Sequence, residues 1–263
     1  MIIAAVGMVK DEADIVRSVV THMRDECDFV IIADNGSTDG TREILDELDV
    51  IVVDDSTVAY DQSAKMTALA AVAGAAGADW VVPCDGDEWW VGRDGCLRET
   101  LAEVAPQWLA VGADVYDHVL TGVDDPLIAD PVRRIQWRRR TAHGLPKVAC
   151  RTRPDLTIQM GNHAAAYEGG TTMLPHTLVV HHFPYRSVDQ VVRKVVNGAA
   201  AYAASNLPEH YGAHWRQYAA IYEQGGREAI EHLVTTWFYR DDPTVPIRIG
   251  EERQEPLIWD PVD

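Results

Sequence analysis

The sequence offers no closely spaced pair of cysteines. Cys27, Cys84, Cys96 and Cys150 are scattered, with no CxxC among them. The four read as reduced packing cysteines of a cytoplasmic protein, in a chain long enough to need neither disulfides nor a structural metal for stability. Positive charge is also scarce: 23 Lys and Arg stand against 41 Asp and Glu, a net charge of −18. Such a field speaks against nucleic acid or an anionic membrane surface as partner. An anionic ligand would need a local cluster of positive groups. No apolar run reaches the length of a membrane span. "MIIAAVGMV" runs into Lys10-Asp11-Glu12, no signal-peptide cleavage pattern follows, and the stretch reads as a buried strand. There is no internal repeat, no low-complexity tract, no Walker A pattern and no Ser-His-Asp or Cys-His nucleophile set.

What is present is an ordinary globular composition, 47% hydrophobic and 24% charged over 263 residues. That is enough for one large α/β domain with a sizeable core. The first half alternates strand and helix. Strands are expected at 1–9, 28–34, 50–55 and 79–85. Between them lie an amphipathic helix capped by Asp11, a short helix in "REILDEL", and an alanine-rich helix from Ser63 to Ala76. Continuous apolar strands separated by helices indicate a mostly parallel central sheet with helices on both faces. Further strands are expected at 108–116, 147–152 and 177–183, with a short helix at 95–104. Ser187 and Gln190 form a capping box for a helix over about 188–205, and helical stretches follow at 213–223 and 226–238. The last residues, rich in Pro, Asp and Glu, read as a surface tail.

In open sheets of this kind ligands bind outside the carboxyl ends of the strands, and Asp11, Asp34, Asp55 and Asp85 all fall there. The stretch "WVVPCDGDEWW" puts Asp85, Asp87 and Glu88 within four positions of one another. Like charges so close are most readily tolerated around a cation, and a hard ion such as Mn²⁺ or Mg²⁺ takes such oxygen ligands; a solvated acidic turn is the alternative. "ADNGSTDGT" places Asp34 and Asn35 where they can hydrogen-bond a base or ribose, although a plain β-turn before a helix has the same composition. In "HHFPYRSVDQVVRK", Arg186, a capped helix start and Lys194 make a local anion site. His181 and His182 alternate across their strand, so one alone can face the crevice. In "QMGNHAAAYEGG", His163 and Glu168 are the two candidates for a general base. Trp89 and Trp90 read as packing residues, and "RRIQWRRR" as a solvated face.

Taken in order, "MVKDEADIV", "ADNGSTDGT", "PCDGDEWW", "QMGNH" and "HHFPYRSVDQVVRK" resemble the glycosyltransferase family 2-like group, in particular its small bacterial branch. The resemblance spans roughly residues 6–197. It implies a glycosyltransferase A-type nucleotide-binding fold, with a catalytic domain over 1–186 and C-terminal helices and a tail over 187–263 packed on it. It implies a nucleoside-diphosphate sugar as donor, a hydroxyl of a glycan or small molecule as acceptor, and transfer with inversion. Asp85, Asp87 and His182 would hold Mn²⁺ or Mg²⁺ beneath the diphosphate. Lys10, Glu12, Asp34, Asn35, Lys65, Asp85, Arg186 and Lys194 would contact the donor. A catalytically silent nucleotide- or glycan-binding homologue and a sugar-phosphate nucleotidyltransferase are the alternatives. The latter calls for a glycine-rich basic loop after the first strand, which "GMVKDEADIV" does not provide.

Overall fold

A computed structural model of the chain describes residues 1–208, 210–240 and 254–256. In chain order the first elements are β1 (Ile3–Val9), α1 (Val16–Glu26), β2 (Phe29–Asp34), α2 (Thr41–Glu47), β3 (Ile51–Asp54), α3 (Gln62–Ala75) and β4 (Trp80–Asp85). Next come β5 (Glu88–Gly92), α4 (Leu97–Ala102), β6 (Ala110–Asp117), β7 (Leu120–Thr121), α5 (Pro131–Arg134), β8 (Trp137–Arg139) and β9 (Lys147–Arg151). The chain continues through β10 (Thr157–Ile158), β11 (Ala165–Ala166), β12 (Met173–His182), α6 (Val188–Ala203) and α7 (Ala213–Leu233). The expected acidic tail lies almost wholly outside the described residues. Among the described residues no helix is long and apolar enough to cross a membrane.

The chain divides into two compact units: one of residues 1–55, 61–116 and 142–182, the other of 56–60, 117–141 and 183–263. The first unit holds an eight-stranded sheet in the order β3-β2-β1-β4-β9-β6-β12-β5. Its first four strands are parallel, as the strand–helix alternation predicts. Beyond β4 the sheet turns mixed: β9 runs antiparallel to both β4 and β6, and β12 antiparallel to β5. The sequence gives no sign of this change, because the antiparallel strands lack regular intervening helices and their partners are distant in the chain.

Both faces of the parallel half are covered. Ala4, Val6, Ile31, Ala33 and Val81 pack with Met66, Leu69, Ala70 and Ala73 of α3 in one core cluster. Their alternates Ile3, Ala5, Val30, Ile32 and Val82 are buried too, as are Val16, Val19, Val20 and Met23 of α1. Burial of such side chains contributes about 1.5–3 kcal/mol each for the larger ones. β3 departs from the expectation of full coverage. It is the edge strand, and Ile51 and Val53 are exposed. Asp11 is a second departure. It does not cap α1, which starts at Val16 without a side-chain cap. Its backbone is left-handed (φ 53°), and its Oδ1 accepts from the Thr38 amide at 2.7 Å. The carboxylate thus serves the 35–40 turn instead of the helix.

In the second unit the Ser187 cap is in place, with Oγ accepting from the Gln190 amide at 3.2 Å. Gln190 reaches past Ser187: its Oε1 accepts from the Arg186 amide and its Nε2 donates to the Pro184 carbonyl. α6 and α7 pack around Val191, Val195, Ile230 and Leu233. The two helical stretches expected after residue 213 are joined as α7, with a break at Gly226 (φ 61°).

The tightest approach in the parallel sheet is at Gly7, where a Cβ would stand 2.6 Å from the Cys84 carbonyl oxygen of β4. Backbone cannot yield as a side-chain tip can. Gly7→Ala should therefore lower stability by about 1–3 kcal/mol, read as a fall in the urea unfolding midpoint at unchanged slope.

Candidate active site

The register of the parallel strands places Val9 beside Asp34, Asp34 beside Asp54 and Met8 beside Asp85, so the strand ends share one edge. Lys10 Nζ donates to the carbonyls of Asn35 (2.7 Å) and Gly36 (3.1 Å), fastening the end of β1 to the 35–40 turn. The Asp34 carboxylate accepts from the Ser37 amide, and the Glu12 amide donates to Thr41 Oγ1 at 2.8 Å. Asn35 Nδ2 donates to the carbonyl and carboxylate of Asp55, whose carboxylate also pairs with Lys65. Lys10, Glu12, Asp34, Asn35 and Lys65 therefore line the edge over β1–β3. Gly86 joins this group to the acidic cluster: a Cβ there would meet Val9 Cγ1 at 2.9 Å and Glu12 Cγ at 3.4 Å.

The acidic cluster already contains a cation, and it belongs to the protein. Lys147 Nζ lies 2.6 Å from Asp85 Oδ2 and 2.7 Å from Glu88 Oε1. It arrives through β9, whose register (Trp80 with Arg151, Val81 with Cys150) carries Lys147 to the Asp85 end of β4. Burial works against its charge, but the Asp85 and Glu88 carboxylates prevail and hold it above the ordinary lysine value. Burial likewise raises the Glu88 carboxyl, with Lys147 pulling against the rise. Asp85 Oδ1 accepts from Gln62 Nε2 (3.1 Å) and Asn162 Nδ2 (3.2 Å). Glu88 Oε2 accepts from the Asp85 amide (3.1 Å) and Trp90 Nε1 (3.3 Å). Lys147, Gln62 and Asn162 were not singled out from the sequence. Three carboxylates without a nearby basic residue in the chain were a signal that a distant one must approach, but only the β4–β9 pairing says which.

Asp87 takes a different direction. Its Oδ1 lies 3.6 Å from His182 Nε2. β12 pairs with β5 so that His182 stands opposite Glu88 and His181 opposite Trp89. His181 is buried, whereas a quarter of the His182 side chain is exposed. An oxygen and an imidazole nitrogen at this spacing suit one divalent cation of the Mn²⁺ type, as two of its six ligands. Among the described residues no group of three or more His, Cys, Asp or Glu is arranged to hold a metal by itself. Trp89 and Trp90 are both buried, Trp89 stacking on His22 at 3.9 Å.

The two base candidates part company. "QMGNH" contains consecutive left-handed residues, Gly161 (φ 72°) and Asn162 (φ 57°). The Gly161 amide donates to Gln62 Oε1 at 2.8 Å, and Asn162 turns under Asp85. The His163 ring folds back against Gly161, where a Cβ would come within 2.5 Å of its Nε2. His163 Nδ1 lies 2.8 Å from the Pro146 carbonyl, so this nitrogen carries the proton and Nε2 keeps its lone pair. Glu168 sits elsewhere. It follows Tyr167, whose hydroxyl lies within hydrogen-bond distance of the carbonyls of Leu109 (2.9 Å) and Arg151 (2.7 Å), at the other end of β9 from Lys147. Glu168 is exposed and its amide donates to Asp155.

Arg186 and Lys194 belong to the second unit. Arg186 is almost fully buried there, its Nη1 donating to the Phe183 carbonyl and its own carbonyl accepting from Arg134. Lys194 Nζ donates to the Pro184 carbonyl at 3.4 Å. Both cations help to hold the turn before α6 together. Also in this unit, His118 is buried between Phe183 (4.1 Å, stacked) and the Ile135 carbonyl.

The family model described as glycosyl transferase family 2 matches residues 9–139, about half of the chain. The match contains the β1–β4 edge and the acidic cluster. A search of curated proteins found no match. Among solved structures, one similar chain is a mannosyltransferase from Pyrobaculum calidifontis in complex with GDP-Man and Mn²⁺. It is 17% identical, with 88% of this chain and 73% of that one covered and a TM-score of 0.44. Another is S. aureus TarS, at 13% identity, 87% and 73% coverage and a TM-score of 0.38. A third is glucosyl-3-phosphoglycerate synthase from Mycobacterium tuberculosis with Mn²⁺ and UDP-Glc, at 16% identity, 80% coverage of each chain and a TM-score of 0.40.

Burial lowers the His163 pKa, with the Pro146 hydrogen bond opposing it and the nearby Lys147 charge adding to the fall. The neutral ring should therefore persist below the ordinary value of 6.5. Nitrogen-15 NMR of the imidazoles should show the Nδ1–H tautomer for His163 and a titration midpoint below that of an exposed histidine.

Proposed function

We propose, for a chain that belongs to glycosyl transferase family 2, that this glycosyltransferase moves a sugar from a nucleoside-diphosphate sugar to an acceptor hydroxyl with inversion, assisted by a divalent cation. The observation that carries this reading is the pairing of Asp87 Oδ1 with His182 Nε2, 3.6 Å apart, beside an edge that also presents Asn35, Lys65 and Glu12. Asp34, Asn35 and the Asp55–Lys65 pair offer donors and acceptors for a base and ribose. Lys10 fixes the turn that carries them.

Asp87 and His182 would hold Mn²⁺ or Mg²⁺. When bound, that ion neutralises the charge that develops on the departing diphosphate, which is the charge the transition state must support. Asp85 is the pivot of the protein side. Gln62, Asn162 and Lys147 hold it rigid, so the following Gly86-Asp87 turn is presented in one conformation. His163 takes the proton of the acceptor hydroxyl at Nε2, its Nδ1–H remaining on the Pro146 carbonyl throughout. Its half-buried position and lowered pKa keep it in the base form at neutral pH. Glu168 is exposed, with its amide on Asp155, and is given no role in this reading. The acceptor is a glycan or small molecule bearing a free hydroxyl. Four unpaired cysteines, three of them buried, fit a reducing compartment, which we take to be the cytoplasm.

The test is release of nucleoside diphosphate from a panel of GDP-, UDP- and dTDP-sugars with Mn²⁺ or Mg²⁺. One donor should turn over, EDTA should stop it, and Asp87→Ala should lower the rate by about 100-fold or more while the unfolding midpoint stays put. Full activity of Asp87→Ala in EDTA would refute the metal-assisted reading. The rate should also fall on the acid side as His163 protonates, with its limb below pH 6.5, and His163→Gln should remove that limb together with most of the rate.

A further inference from the structure

We propose that Gln62 is the positioning residue that holds the His163 base in place beside Asp85, through one side-chain amide bonded at both ends. This rests on the reading of His163 as proton acceptor given above, and adds to it the group that keeps the ring where it is. Gln62 is the first residue of α3, a helix set into the core through Met66, Leu69, Ala70 and Ala73, and is itself 5% exposed. Its Nε2 donates to Asp85 Oδ1 at 3.1 Å, and its Oε1 accepts from the Gly161 amide at 2.8 Å. A carboxylate oxygen takes only a donor and a backbone N–H only an acceptor, so the two partners fix which way the amide faces. Glutamate, of the same length, lacks the donor, and methionine has no amide at all.

The turn at the acceptor end needs such a hold. Gly161 (φ 72°) and Asn162 (φ 57°) are both left-handed, and a non-glycine residue persists there where its surroundings over-determine it. Asn162 supplies part of this. Its amide donates to the Gln159 carbonyl at 3.0 Å and its Nδ2 to Asp85 Oδ1 at 3.2 Å, but its Oδ1 is buried with no hydrogen-bond partner. Ser63 and Thr67 fasten α3 to Ile158, ahead of the turn. Gln62 fastens α3 to Gly161, inside it. The His163 ring lies against Gly161, and its Nδ1 is 2.8 Å from the Pro146 carbonyl. That bond requires the ring to stand where the turn puts it, and it reserves Nε2 for the acceptor proton. Gln62 thus joins the part of the site that carries Asp85 to the part that carries the base.

Nitrogen-15 NMR of His163 in nucleotide-free protein, at mildly alkaline pH where the ring is neutral, tests this together with steady-state kinetics on the donor that turns over. Wild type should show the Nδ1–H tautomer. Gln62→Met should show a mixture of the two neutral tautomers, with kcat lowered about 10- to 100-fold and the donor KM within about twofold. Gln62→Glu keeps the acceptor for the Gly161 amide and should keep the wild-type tautomer. Should Gln62→Met fail to fold, Gln62→Asn retains the amide but draws it back from both partners, and should give the same mixture and the same fall in kcat. A purely structural Gln62 would lower the unfolding midpoint and leave the tautomer and kcat of the folded variant alone. A folded Gln62→Met or Gln62→Asn variant that keeps either the wild-type tautomer or the wild-type kcat would overturn this inference and leave the glycosyltransferase reading standing. So would a mixture in Gln62→Glu, since the Gly161 bond would then not be what holds the ring. Absence of turnover by wild type with every donor of the panel would overturn the reading of the reaction, and this inference with it.

Discussion

The ammonium of Lys147 between Asp85 and Glu88 is the contact on which the strand-end site depends. Without it, two carboxylates that stand against the sheet core would face each other with no counter-charge, and removing one partner of such a buried pair costs about 3–5 kcal/mol. With it, Asp85 becomes a fixed post to which three segments are tied: α3 through Gln62, the 160–163 turn through Asn162, and β9 through Lys147 itself. The position of Asp87 two residues on, and of the His163 ring beyond Asn162, are consequences of that anchoring.

The arrangement also separates the members of the acidic cluster from one another. Asp85 and Glu88 are both paired with Lys147, and Asp85 is also tied to Gln62 and Asn162. Asp87 is the member turned toward His182. Alternation along β5 and β12 makes this possible, since pairing His182 with Glu88 and His181 with Trp89 sends one histidine to the site and the other into the interior.

Much of this was legible in the sequence, and the parts that were not share a cause. The β1–β4 half, α1 and α3 followed from apolar periodicity and strand–helix alternation, and the shared acidic edge from the acidic residues that end each strand. The capping box at Ser187 was readable because it is local. Long-range pairing was not. Nothing in "GLPKVACR" says that its lysine meets Asp85, and nothing in "YEGG" says that Glu168 is carried to the far end of β9. Asp11 was assigned to the helix after it, although the turn at Thr38 had the stronger claim.

The pair of left-handed residues at Gly161 and Asn162 has a consequence for how this sequence can drift. Glycine at 161 leaves room for the His163 ring, and Asn162 occupies a backbone region that few side chains enter cheaply while its amide supports Asp85. The three neighbours are therefore not independent sites of variation. A substitution at any one alters the footing of the other two, and through Gln62 it reaches the head of α3. Such a tripeptide should change as a block or not at all, so in lineages of this protein its three positions should carry a correlated substitution history.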